Sequence, residues 1–130
     1  MARIVLDAGV IIGLYDDHDP HHNWAIDFMF QTTSDVLVMS AVNYAEIMVY
    51  PIKFGNKAEF LAGVSGLELQ LDVKSLSKTE DLATLRAETG LKMTDVCAIH
   101  LAVSEDSILA TTDKAVAKAA KSLGIKVFQP

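Results

Sequence analysis

The hydrophobic positions fall into short, nearly continuous runs separated by stretches with helical spacing. Arg3 to Leu6, Val36 to Met39, Ser107 to Ala110 and Ile125 to Phe128 read as strands, with Ile4-Val5-Leu6, Val36-Leu37-Val38-Met39 and Ile108-Leu109-Ala110 as their apolar runs. Leu67, Leu69, Leu71 and Val73 alternate with polar residues, which predicts a further strand over 67–73. The segments between them read as helices: 8–15, 21–31 with Trp24, Ile26 and Phe28 inward, 57–64, and 113–122 with Gly124 behind it. Ser40 is placed to cap a helix carrying Val42, Ala45, Ile47 and Met48, and Pro51 to limit it. Ser77 and Glu80 have capping-box spacing at the head of a helix that stops at Gly90. Thr94 is placed to cap a helix from Asp95 to about Glu105. Strands alternating with helices predict an α/β fold, with a central, mostly parallel sheet of about five strands flanked by helices.

At 130 residues the chain has the length of one domain, spanning residues 1–130, and no stretch reads as a linker. Hydrophobic residues make up 51%, which excludes a disordered chain. The only cysteine, Cys97, excludes a disulfide framework and a cysteine-based zinc site; it reads as core. No run approaches the ~18 apolar residues of a membrane span, and the N-terminus is too short of apolar residues for a signal peptide. A cytoplasmic location is the expectation. The net charge of −6 disfavours broad coating of nucleic acid by a basic surface, although a neutralised pocket could still hold it locally.

Four acids stand out from the solvated majority. Asp7 follows the first strand and Asp113 follows Ala110-Thr111-Thr112, at strand ends where α/β sheets bind ligands. Either could instead be a helix N-cap. Asp95 opens an apolar helix, where the macrodipole alone would favour an acid. Glu46 lies among apolar residues, or shares a polar helix edge with Asn43 and Tyr50. Brought to one sheet edge at ~5 Å, ionised carboxylates repel by about 3 kcal/mol per pair at an effective dielectric of 20. Such a group requires protonation, separation or a divalent cation, and oxygen-only ligands favour Mg²⁺ or Mn²⁺ over zinc. Thr111 and Thr112 are placed to orient Asp113 or a metal-bound water. Lys114, Lys118 and Lys121 share a helix face that could hold a phosphate backbone, or simply face solvent. His18, His21 and His22 lack zinc-pair spacing and read as loop residues, and His100 reads as a satisfied helix histidine. There is no P-loop, dinucleotide fingerprint or nucleophile elbow.

In order and spacing, Ile4 to Ala8, Ser40 to Glu46, Gly90 to Ile99, Leu109 to Lys114 and Ser122 to Val127 resemble the PIN-domain ribonucleases. The nearest resemblance is to the VapC-type toxins of bacterial toxin–antitoxin pairs. The resemblance implies a PIN-like domain with Asp7, Glu46, Asp95 and Asp113 as its catalytic acidic pocket, and Asp7, Asp95 and Asp113 as metal ligands. It implies Thr111 as an auxiliary hydroxyl; Thr112 beside it, and Lys114 and Lys118 as RNA contacts, are expected from their positions next to Asp113 and along one helix face. It further implies Mg²⁺- or Mn²⁺-dependent endoribonuclease activity, a homodimer and a VapB-type antitoxin. One departure is that Ala8 and Gly9 carry no hydroxyl, where this family commonly has one soon after the first aspartate. The competing readings are a PIN-fold RNA-processing nuclease that is not a toxin, and a non-catalytic interaction module. A phosphoryl-accepting receiver domain lacks its paired acids here, since Ala8 follows Asp7.

Overall fold

The structure, a computed structural model, describes residues 1–130. Strand β1 (Arg3–Leu6) lies at the centre of a five-stranded sheet. On one side are β2 (Val36–Ser40) and the edge strand β3 (Gln70–Asp72); on the other are β4 (Ile108–Ala110) and β5 (Val127–Phe128). The order is β3-β2-β1-β4-β5 and every neighbouring pair runs parallel, so the sheet is all-parallel. Parallel strands need crossovers, and helices therefore cover both faces.

The strands are apolar on both faces because both are covered. Ile4, Leu6, Leu37 and Met39 point to one side. There they meet Val10 and Ile11 of α1 (Ala8–Tyr15), Phe28 of α2 (His22–Gln31) and Ile47 of α3 (Ala41–Lys53). Val64 of α4 (Lys57–Ser65) completes that core. Val5, Val38 and Leu109 point to the other side, against Ile99 and Leu101 of α6 (Met93–Ser104) and Val116 and Ala120 of α7 (Lys114–Ser122). Leu82 of α5 (Thr79–Thr89) packs there on Val96 and Cys97.

Several boundaries differ from the sequence pattern. Only 70–72 pair as β3; Leu67 and Leu69 are drawn into the first core, while Leu71 and Val73 stay exposed at the sheet edge. Pro51 lies inside α3, which runs on to Lys53, because proline removes one hydrogen bond without stopping the last turn. The Ser77 capping box does not form. Ser75 turns back to bond Asp72, residues 74–77 close a 3₁₀ turn, and Ser77 donates to the Lys74 carbonyl. Thr94 is not a cap: α6 starts at Met93, with Lys92 at the capping position. Gly90 ends α5 in the left-handed conformation, as its position implied.

Candidate functional site

The ladder between β1 and β4 continues past the strands. The Asp7 N–H donates to the Ala110 carbonyl at 2.9 Å, so the residue after β1 is pinned beside the end of β4. Asp7 then turns the chain into α1 as its N-cap, Oδ1 accepting from the Ala8 N–H at 2.9 Å. Its Oδ2 accepts from the Thr111 hydroxyl at 2.9 Å. The residue is 6% exposed. Burial pushes the carboxyl up to about 6; the Thr111 bond opposes the rise, and the nearby Asp95 and Glu46 charges add to it.

Thr111 joins two of the acids. Fully buried, it donates to Asp7 and accepts from the Asp113 N–H at 3.1 Å. Asp113 is the N-cap of α7, its Oδ1 accepting from Ala115 and Val116 N–H at 2.8 and 3.2 Å, which leaves Oδ2 unbonded. Its side chain is exposed. Both strand-end aspartates are thus helix caps, and capping uses only one oxygen of each for the helix.

Asp95 lies in the first turn of α6, buried, with no hydrogen-bond partner in the chain. Its carboxyl is raised above the ordinary range, chiefly by burial; Lys92 opposes this, and Asp113 and Glu46 reinforce it. Glu46, on α3, is half-buried. Asn43, one turn before it, is fully buried and donates from Nδ2 to the Thr94 carbonyl at 3.0 Å. That bond ties the helix carrying Glu46 to the turn carrying Asp95. The expected polar edge of α3 therefore exists, and it faces the acids.

Asp7 feels Asp95 and Glu46, and Asp95 feels Glu46 and Asp113, so the four acids form one electrostatic neighbourhood. They do not close into a tight triad. The one acid and histidine group with ligand atoms within 4.8 Å of one another is Asp16, Asp17 and His18, on the exposed loop after α1. The donors of this four-acid group are all oxygens, and burial disfavours the charge of Asp7 and Asp95. That is the donor set a hard divalent cation accepts.

Lys114 and Lys118 are exposed on α7, beside Asp113, and neither is in an ion pair. His22 bonds the Gly13 carbonyl through Nδ1, and His100 lies 3.6 Å from Asp81 while its buried Nδ1 has no partner. The histidine is thus only half satisfied. Lys92 was not singled out from sequence, and Asn43 only as a neighbour of Glu46 on a polar helix edge. Lys92 precedes Asp95 by three residues, a readable signal; the role of Asn43 depends on a carbonyl 51 residues away.

The family model for the PIN domain matches residues 4–122. No curated protein sequence matches the chain. Among solved structures, the chain resembles DNA-bound VapBC from Salmonella typhimurium, with a TM-score of 0.71 and 19% identity over 99% of this chain and 98% of that one. VapBC-1 from nontypeable Haemophilus influenzae gives a TM-score of 0.70 and 16% identity, covering 98% and 97% of the two chains. Mycobacterium tuberculosis VapC20, a sarcin-ricin loop cleaving toxin, gives 0.68 and 11%, covering 89% and 94%. At these identities the likeness is one of fold.

Proposed function

This chain belongs to the PIN-domain family, and from that premise we propose that it is a divalent-metal-dependent endoribonuclease, the toxin of a VapBC-type pair. The observation that carries this reading is the coupling of Asp7, Glu46, Asp95 and Asp113 at one sheet edge, with Asp7 raised to about 6. Perturbed carboxyls of this kind gather at functional sites.

Asp7, Asp95 and Asp113 are the metal ligands in this reading, and Glu46 completes the ring of charge from α3. A bound Mg²⁺ or Mn²⁺ supplies Lewis acidity, lowering the pKa of a water and offsetting charge on the phosphate. The protein's part is positioning. Thr111 holds Asp7 Oδ2 and, through the Asp113 N–H, fixes the start of α7. The α7 N–H groups hold one Asp113 oxygen and leave the other available. Asn43 sets α3 against the head of α6. Lys114 and Lys118 hold the RNA backbone beside the pocket without taking part in bond breaking.

The antitoxin seat in this reading is an apolar groove of about 510 Å³ between α1, α3 and α4. It is lined by Ile12, Tyr15, Ile47, Tyr50, Phe54 and Phe60. Tyr50 lies one turn beyond Glu46, so a VapB-type tail in this groove could extend a basic residue to the acids. A second copy of the chain completes the proposed homodimer. No helix is long and apolar enough to cross a membrane, and the proposed site of action is the cytoplasm.

The test is cleavage of a labelled RNA panel by protein freed of antitoxin. Cleavage with Mg²⁺ or Mn²⁺ that is lost in EDTA and in Asp7→Asn supports the reading. Cleavage that survives both overturns it.

A further inference from the structure

Gly9 is the second residue of α1, and its backbone has no left-handed torsion that would demand glycine. Glycine inside a helix is unfavourable relative to alanine. The reason for it here is spatial. A Cβ on residue 9 would stand 2.5 Å from Thr112 Oγ1, closer than real Cβ atoms approach. The hydroxyl of a residue 103 positions later fills the volume where any side chain at position 9 would begin.

Thr112 sits between two residues of the site. On one side Thr111 bonds Asp7 and Asp113; on the other is Asp113 itself. The Thr112 hydroxyl makes no hydrogen bond within the chain, and the side chain is half-buried. The chemistry around it makes such a group scarce. Ionised carboxylates only accept hydrogen bonds, and the Thr111 O–H is already committed to Asp7. A phosphate oxygen entering this edge also only accepts, so it needs a donor.

We propose that Thr112 is a positioning residue: its hydroxyl, seated in the space left open by Gly9, donates to a phosphate oxygen of RNA at the acidic edge. The inference rests on the nuclease reading above. Residues 9 and 112 then form an interlock in which glycine at one is the condition for a seated hydroxyl at the other.

The experiment is a double-mutant cycle on the full chain, read by kcat and KM for RNA with Mn²⁺, by Mn²⁺ affinity, and by methyl NMR of metal-free protein. Thr112→Val, which keeps the shape, is expected to lower kcat/KM about tenfold with Mn²⁺ affinity and melting temperature unchanged. Thr112→Ser is expected to retain activity. Gly9→Ala is expected to turn the hydroxyl away: it shifts the Thr112 methyl resonance without metal and lowers kcat/KM as Thr112→Val does. The two changes combined should lose no more than either alone, since neighbours that act through one group are not additive. Gly9→Ser with Thr112→Ala should recover activity over Thr112→Ala alone, which a packing role would not produce.

Wild-type kcat/KM in Thr112→Val, or fully additive losses, would overturn the proposal. An unmoved methyl resonance in Gly9→Ala would overturn the seating. Failure of the nuclease reading is distinguishable: wild-type protein would neither cleave RNA nor bind Mn²⁺, while the methyl resonance still moved.

Discussion

Two groups of acids in this molecule are built in opposite ways. Asp16, Asp17 and His18 crowd together after α1, His18 Nδ1 lying 2.9 Å from Asp17 and 3.8 Å from Asp16. All three face water. Asp7, Glu46, Asp95 and Asp113 are spread over four elements and never reach that spacing, yet Asp7 and Asp95 are buried and pushed up. Two unit charges 4 Å apart interact by about 1 kcal/mol in water and about 4 kcal/mol at an effective dielectric of 20. Spacing alone selects the exposed group, and burial selects the other. Burial marks the group whose charge needs a counter-ion.

The sharpest way to break this comparison is to neutralise one acid in each group. Asp7→Asn is expected to lower RNA cleavage by at least about 10³-fold, roughly 4 kcal/mol of lost transition-state stabilisation, while Asp17→Asn stays within twofold of wild type. Equal losses in a single-turnover assay would erase the distinction.

A second measurement uses pH. Native Asp7 keeps its proton up to about 6, whereas the unfolded chain releases it near 3.8. Between those values the native state binds more protons, so metal-free stability falls as pH rises through that window, by up to about 3 kcal/mol, and is level above it. Asp7→Asn removes this slope. Urea unfolding should find the variant more stable than wild type at pH 7.5 and equal to it at pH 4; parallel pH profiles would mean that the burial is not felt.

Metal addition sharpens the contrast further. Mn²⁺ at 100 times its dissociation constant should stabilise wild type by about 2.7 kcal/mol, an effect that fades below pH 6 as Asp7 takes up its proton. Asp95→Asn should blunt it and, without metal, be neutral or stabilising, since it removes like-charge repulsion. Asp17→Asn should leave the metal effect intact. An Mn²⁺ shift abolished by Asp17→Asn would relocate the ion to the exposed loop. The smallest expected effect is in Lys118→Ala, which should weaken RNA binding and reduce its salt slope by about 1; an unchanged slope would leave this lysine as a plain surface residue.

Much of this was readable from the chain, for reasons that differ by element. β1, β2 and β4 are strands with both faces apolar and α1 is apolar nearly all round, and their limits agree with the sequence pattern to within a residue. β3 misled because Leu67 and Leu69 plug the core from a loop, while Leu71 and Val73 alternate into solvent. The Ser77 capping box lost to Asp72, whose carboxylate captured the preceding serine first. At the site, the strand-end aspartates stood out in sequence, but cap and ligand could not be separated there. Only the geometry shows that each cap uses one oxygen for its helix. The parts that stayed hidden, Asn43 with Thr94 and Gly9 with Thr112, are pairings between residues far apart in sequence.

The position of β1 also sets an order of events in biosynthesis. One flank of this strand pairs with β2 within the first forty residues; the other waits for β4. Asp7 and Thr111 are 104 residues apart, so at ~5–20 residues per second several seconds of translation separate the first carboxylate from the group that holds it. A chain stalled before Ile108 has at most a three-stranded half-sheet, with one edge of β1 unpaired and the acids not yet gathered. That open edge invites non-native pairing. The open edge and the dispersed acids last for the same interval, which ends when a single parallel strand docks.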